Sequence, residues 1–270
     1  MNESKTRALR PWLLPLLLLL LGLVLGVALA MALGGDGADG AQGQSKTPGE
    51  MTLQQCYDAA VKDAVFAGEN EIEPLVSLTK DDPLVTWNDA GDRVLLLTWH
   101  NYPDSYPHGE TVTLDWGTVW VFTDRELAQR YDAEADIVTD WDLRLKQLVG
   151  FPPDSEHSTI TGMWVRPEDV LRPAYQSDPT VGAMYTSFDD AVDEKFKAWF
   201  DGNIIWSYFD SAYPWTRLGY TYDWANNGAE YGLSEFLINQ GAEVQVAFTQ
   251  STDEFLASLD AGGAMADSAA

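Results

Sequence analysis

The stretch Thr111-Val112-Thr113-Leu114-Asp115-Trp116-Gly117-Thr118-Val119-Trp120-Val121-Phe122, running directly into Thr123-Asp124-Arg125-Glu126-Leu127, sets the expected fold. Val112, Leu114, Trp116, Trp120 and Phe122 share one face of an extended chain, and Thr111, Thr113 and Asp115 share the other. That is the period-two pattern of a half-buried strand. Thr123 with Glu126 makes a capping box, and Phe122 and Leu127 occupy the hydrophobic-staple positions around it, so a helix follows the strand at once.

Working outward, Val94 to Leu97 is continuously apolar, as expected of a strand buried on both faces, and Asn88 to Asp92 supplies the turn before it. Ile160 to Val165 is a further strand candidate. Leu233 to Ile238 and Glu243 to Phe248 flank Asn239-Gln240-Gly241, a spacing that predicts a hairpin with glycine in the left-handed position. Three more helices are expected. Thr52 and Gln55 form a capping box ahead of Leu53, Tyr57, Ala60, Val61, Ala64 and Val65 at helical spacing. Asp140 to Val149 places Trp141, Leu145 and Leu148 on one face and stops at Gly150 and Pro152-Pro153. A last helix begins after Ser187, aligns Phe188, Val192, Phe196, Trp199 and Phe200, and ends at Asp201-Gly202. Strands in runs, separated by helices and hairpins, predict a single α+β domain with a mainly antiparallel sheet.

Composition narrows the function. The chain of 270 residues carries 42 acidic against 16 basic side chains, a formal charge of −26, with 46% apolar residues, eleven tryptophans and one cysteine. Such a charge excludes docking on nucleic acid through a broad electrostatic footprint. A single cysteine excludes an internal disulfide, a thiolate zinc cluster and a CxxC redox pair. The apolar and aromatic content excludes a wholly disordered chain.

Placement is the most legible property. Lys5, Arg7 and Arg10 precede a stretch without charge from Trp12 to Leu33. As a helix that stretch would be roughly 33 Å long, against a hydrocarbon core of about 30 Å. Basic residues before the span favour a cytoplasmic N-terminus and an exported remainder. Small-x-small sites at Ala28-Leu29-Ala30 and Ala30-Met31-Ala32 leave a cleaved, secreted form as the alternative. The expected organisation is a basic cytoplasmic N-terminus (1–11), a transmembrane anchor (12–33), a flexible linker (34–50), an extracytoplasmic α+β domain (51–250) and a flexible tail (251–270). Four basic and four acidic residues up to Glu50 cancel, so the whole −26 lies on the exported part.

Motifs for chemistry are sparse. Ser77-Leu78-Thr79-Lys80 has the SxxK spacing of penicillin-recognising enzymes but lacks the companion S-D-N and K-T-G elements. His100, Asp104 and His108 could ligate zinc if the proline-bent loop gathered them. No cofactor is expected. The densest constellation is Tyr213 to Trp224, where Trp215, Arg217, Tyr220, Tyr222, Asp223 and Trp224, with Arg166, make the expected ligand-binding face. There rings could stack on a sugar while Arg and Asp bond its polar groups. Structural packing, with Arg217 paired to Asp223, competes with that reading. Glu168, Asp223 and Glu235 are weak candidates for a catalytic acid and base on a glycan.

Several blocks resemble a group of exported bacterial proteins of unknown function. They are Leu95-Leu96-Leu97-Thr98-Trp99 through Ser105-Tyr106-Pro107, then Trp116 to Val121, Leu143 to Ser155, Trp164 to Asp169, Tyr213 to Trp224, and Gly232 to Phe236. The resemblance implies that residues 51 to about 250 form one exported domain, and it implies no activity, cofactor or catalytic residue. The expected function is therefore a membrane-tethered binding or envelope-associated domain without catalysis, its partner a cell-surface glycan or envelope protein. A glycan hydrolase is the alternative. A cation-binding acidic protein is a third reading.

Overall fold

Leu95 to Leu97 lie at the centre of a sheet, fully buried, and the rest of the chain is arranged around them. The computed structural model describes residues 51–260, so the expected basic N-terminus, anchor and linker, and residues 261–270 of the expected tail, lie outside the described residues. Among the described residues, no helix is long and apolar enough to cross a membrane. Among the described residues the fold is α+β, with five α-helices and a seven-stranded sheet whose pairings are antiparallel.

In chain order the elements are α1 (Leu53–Asp63), β1 (Val94–His100), β2 (Thr111–Thr113), β3 (Val119–Thr123), α2 (Asp124–Glu134), α3 (Trp141–Leu148), β4 (Thr159–Val165) and β5 (Val170–Leu171). Then come α4 (Glu194–Ile205), β6 (Tyr220–Tyr222), β7 (Tyr231–Ser234), β8 (Phe236–Ile238), β9 (Glu243–Ser251) and α5 (Thr252–Asp260). The large sheet runs β2-β9-β4-β1-β3-β8-β5, and β6 with β7 forms a separate ribbon.

Strand alternation gives the sheet two different faces. Val94 and Leu96 join Val121, Met163, Val165, Phe236, Ile238, Val244 and Val246, covered by Val76, Leu78, Val85 and Leu114 from connecting segments. Leu95, Leu97 and Trp99 point the other way and pack under Leu127 of α2, Leu145 of α3, and Phe255 and Leu259 of α5. Helices thus cover one face and loops the other. α1 stands apart, laying Tyr57 and Ala60 against Tyr222 and Trp224.

Local signals and structure agree at α1, where both bonds of the Thr52–Gln55 capping box form. They agree at α3, which Asp140 caps through Leu143 N–H, and at β1, buried along its whole length. Five expectations are corrected. First, the twelve-residue strand from Thr111 divides. Gly117 adopts a φ of 150°, closed to most side chains; β2 goes to the sheet edge beside β9, while β3 enters the interior between β1 and β8.

Second, Thr123 stands at the N-cap of α2 without a side-chain cap bond, and the Glu126 side chain accepts Ser234 N–H rather than closing a capping box. Third, no hairpin joins β8 to β9. Gly241 does take a left-handed φ of 83°, but the strands leave the turn for opposite sides of the sheet. Fourth, the Phe188 helix starts late and ends late. Asp193 accepts from Lys195 and Phe196 N–H and so nucleates α4 there, and exposed Gly202 does not stop it. The chain continues through a π-turn at Trp206–Asp210. Fifth, residues 252–260 of the expected tail form α5, held by burial of Phe255, Leu256 and Leu259.

Candidate functional site

The β1–β3 ladder has only two residue pairs, Leu96↔Thr123 and Leu97↔Phe122. Beyond them the strands part. β1 continues along β4 to His100, and β3 runs along β8. A cavity of about 390 Å³ opens between them, with Thr98 to His100 on one wall and Thr118 to Phe122 on the other. Its volume is that of small-molecule sites in general. Phe151, Tyr213 and Ser207 close the inner side, and Tyr102, Trp116 and Trp206 line it while remaining largely solvent-exposed, as rim residues do.

Polar groups in this cavity are few, and most are already used. His100 accepts Tyr102 N–H at Nδ1 (2.9 Å), which leaves Nε2 protonated to donate to Thr161 Oγ1 (2.8 Å). Burial, then the neighbouring His157, lowers its pKa to about 4, so the ring is neutral at physiological pH. Thr221 Oγ1 donates to Leu148 O and accepts Leu233 N–H. Tyr213 donates its hydroxyl to Val149 O.

Glu235 differs from these. It sits between β7 and β8, a charged residue interrupting an apolar run, and its N–H donates to Gly219 O (3.0 Å). The side chain is 3% exposed, yet Oε1 has no hydrogen-bond partner. Burial pushes its carboxyl well above the usual carboxylate range, and the opposing influences of Arg172 and of the Trp215 side chain do not offset this.

The charge balance around Glu235 explains which acid holds a proton. Arg172 is wholly buried, donating to Val76 O (2.6 Å) and Gly219 O (3.2 Å) with its guanidinium over the Phe236 ring. Three carboxyls act on it electrostatically, Glu126 and Glu235 ahead of Asp178. Glu126 accepts from Ser234 N–H (2.8 Å), Ser234 Oγ and the Tyr231 hydroxyl. Burial raises the Glu126 pKa as well, but its three donors hold a carboxylate charge better than the single Trp215 contact at Glu235, so Glu126 is assigned the charge opposite Arg172 and Glu235 the proton. A protonated acid facing an apolar cavity is a donor awaiting an acceptor.

Most residues singled out in the sequence are placed elsewhere, Glu235, His100 and Tyr213 excepted. Trp215, Tyr220, Tyr222 and Trp224 are buried, and their polar tips go to internal partners: Pro173 O, Glu71 O, the Asp63 carboxylate and Phe151 O respectively. Arg217 does not pair with Asp223. It donates to Ala64 O and Val65 O (2.6 Å), a cation on the C-terminal carbonyls of α1. Asp223 instead takes Arg144 in a two-pronged bond. Arg166 lies nearer the surface, bridged to Asp169 (2.9 Å) and Glu168 (3.8 Å). Glu168 is exposed, Asp223 borders a different cavity from Glu235, and no two of the three carboxylates line the same one of the described cavities.

His100, Asp104 and His108 do not converge, since the first is buried with both nitrogens engaged while the others are exposed. Lys80 of the SxxK match rests over Trp87, and Ser77 N–H donates to Asp82. Among the described residues the group whose ligand atoms come together is Asp63, Glu71 and Glu230, all within 4.8 Å. It lies on a polar cavity of about 560 Å³ bordered also by Tyr220, Tyr222, Asp223 and Trp224. Burial, then Asp63 and Glu71, raises the Glu230 pKa. Three carboxylate oxygens suit a hard cation such as calcium.

Sequence reasoning named Glu235 but missed its surroundings, Trp116, Trp120, Phe151 and Trp206 among them. These come from three segments far apart in the chain, and no local spacing joins those segments. Compared with family models, with curated proteins and with solved structures, the chain matches none.

Proposed function

We propose that the protein is a non-catalytic binding domain that holds one compact, largely apolar small molecule between β1 and β3. The observation that carries this reading is the buried Glu235 carboxyl, whose Oε1 has no hydrogen-bond partner, in an aromatic-walled cavity with an exposed rim. An apolar pocket with a single convergent polar group is the usual form of a ligand site. Catalysis is disfavoured by the same lining. Glu235 is its one carboxyl and His100 has both ring nitrogens occupied, so no acid–base pair faces the space.

The test uses N-phenyl-1-naphthylamine, a neutral apolar dye that fluoresces in dry surroundings. It should bind at one site per chain with a dissociation constant on the order of 10 μM. Thr118→Trp, which plugs the space from an exposed wall position, and Trp206→Ala, which removes part of the rim, should each weaken binding by about tenfold. Saturable binding that both variants leave unchanged would place the dye elsewhere and remove the proposal's support.

The uncharged stretch 12–33, the resemblance to exported proteins and the −26 carried beyond it support placing this domain outside the cytoplasm, tethered to the membrane. An impermeant protease added to intact cells should then degrade it. A domain that survives until lysis, though digestible when purified, would refute that placement.

A further inference from the structure

We infer that the ligand of the β1–β3 cavity is an organic cation, an ammonium group on an apolar body, with Glu235 as its counter-ion and aromatic rings as its walls. The inference rests on the binding reading above and specifies its chemistry. Three observations converge on it. No Lys or Arg lines the cavity, and its one histidine is committed through both nitrogens. The single acid is buried with a free oxygen. The remaining lining is rich in ring faces and edges, including Tyr106, Trp116, Trp120, Phe151 and Trp206.

Rings attract cations through their quadrupoles, and desolvation strengthens the effect. A quaternary ammonium needs no hydrogen bonds and so suits walls that offer few. The net charge of −26 draws cations toward the whole molecule.

The charge count has a consequence that a neutral ligand lacks. The empty site holds Glu235 with its proton, and ammonium binding turns it into a carboxylate, so one proton leaves for solvent per cation bound. Affinity therefore rises with pH, approaching about tenfold per unit while the free acid stays protonated. The other groups facing Glu235 do not reverse this sign. Arg172 stays charged and His100 neutral across pH 6–8, and the Tyr208 and Tyr213 phenols are pushed above their ordinary range.

The experiment sets phenyltrimethylammonium against tert-butylbenzene, its neutral isostere, as competitors for bound N-phenyl-1-naphthylamine on the purified chain. The cation should displace the dye at a concentration at least about tenfold lower than the hydrocarbon, and more effectively at pH 8 than at pH 6. In Glu235→Gln the two competitors should become equally potent, and the pH dependence should be lost. Equal potency of the two competitors, or a preference that Glu235→Gln preserves, overturns the inference. Should the variant not fold, the pH dependence of the wild-type chain decides alone: a flat profile overturns the inference. Failure of the dye itself to bind would strike the underlying binding reading, whereas dye binding without cation preference strikes this inference only.

Discussion

Arg144→Leu should unfold the domain more readily than any surface substitution, with a loss of about 3–5 kcal/mol. Arg144 of α3 is 5% exposed and Asp223 is 2% exposed. The guanidinium donates to both Asp223 oxygens (2.8 and 2.7 Å) and to both oxygens of Glu134 (2.5 and 3.0 Å) at the end of α2. It therefore ties two helices to the segment that follows β6.

Leucine would fill much of the volume but leave Asp223 buried with Ala225 N–H as its remaining donor (3.0 Å). An unpaired buried charge is the costly state, whereas replacing both partners by apolar groups is often close to neutral. Arg144→Leu with Asp223→Leu should accordingly be more stable than Arg144→Leu alone. Urea unfolding of the three proteins measures this. A single mutant as stable as the wild type would show that the network contributes little.

Trp215→Ala should lower stability by about 3–5 kcal/mol, the range for truncating a large buried ring. Its indole is 1% exposed, packs on Phe200 (4.7 Å between centroids), Trp199 (6.1 Å) and Trp120 (6.3 Å), and donates Nε1–H to Pro173 O (3.1 Å). For a domain of this size the melting temperature should fall by roughly 10 °C. Were Trp215 instead a stacking surface for a ligand, its loss would spare the fold and abolish binding. Trp206→Ala is the contrasting case: this ring is 55% exposed, so dye binding should weaken while the melting temperature stays within about 2 °C. Calorimetry on both variants separates a core ring from a rim ring.

Tryptophans that read alike in sequence thus have different duties, and the distinction follows from the range of the forces involved. The Thr52–Gln55 box and the Asp140 cap form between residues three apart, so the nearby chain suffices to specify them. The continuous apolar run at Val94 likewise announces a strand with two dry faces. The hairpin expected around Asn239-Gln240-Gly241 fails for a complementary reason. A turn bends the chain but does not choose strand partners, and β8 and β9 find theirs in β3, β5, β2 and β4.

Glu126 shows the same limit at a single residue. Its spacing from Thr123 suits a capping box, yet Ser234 and Tyr231, over a hundred positions later, offer it stronger company.

Composition, the uncharged stretch 12–33 and local periodicity by themselves determine an acidic α+β chain with one long apolar segment near its N-terminus, because each depends only on neighbouring residues or on simple sums. Tertiary structure alone decided that β1 and β3 separate after two pairs and that Glu235, rather than Asp223, faces the gap. Whether a buried acid meets an arginine or an empty space depends on which distant segments pack beside it, and that is settled only when the whole sheet closes.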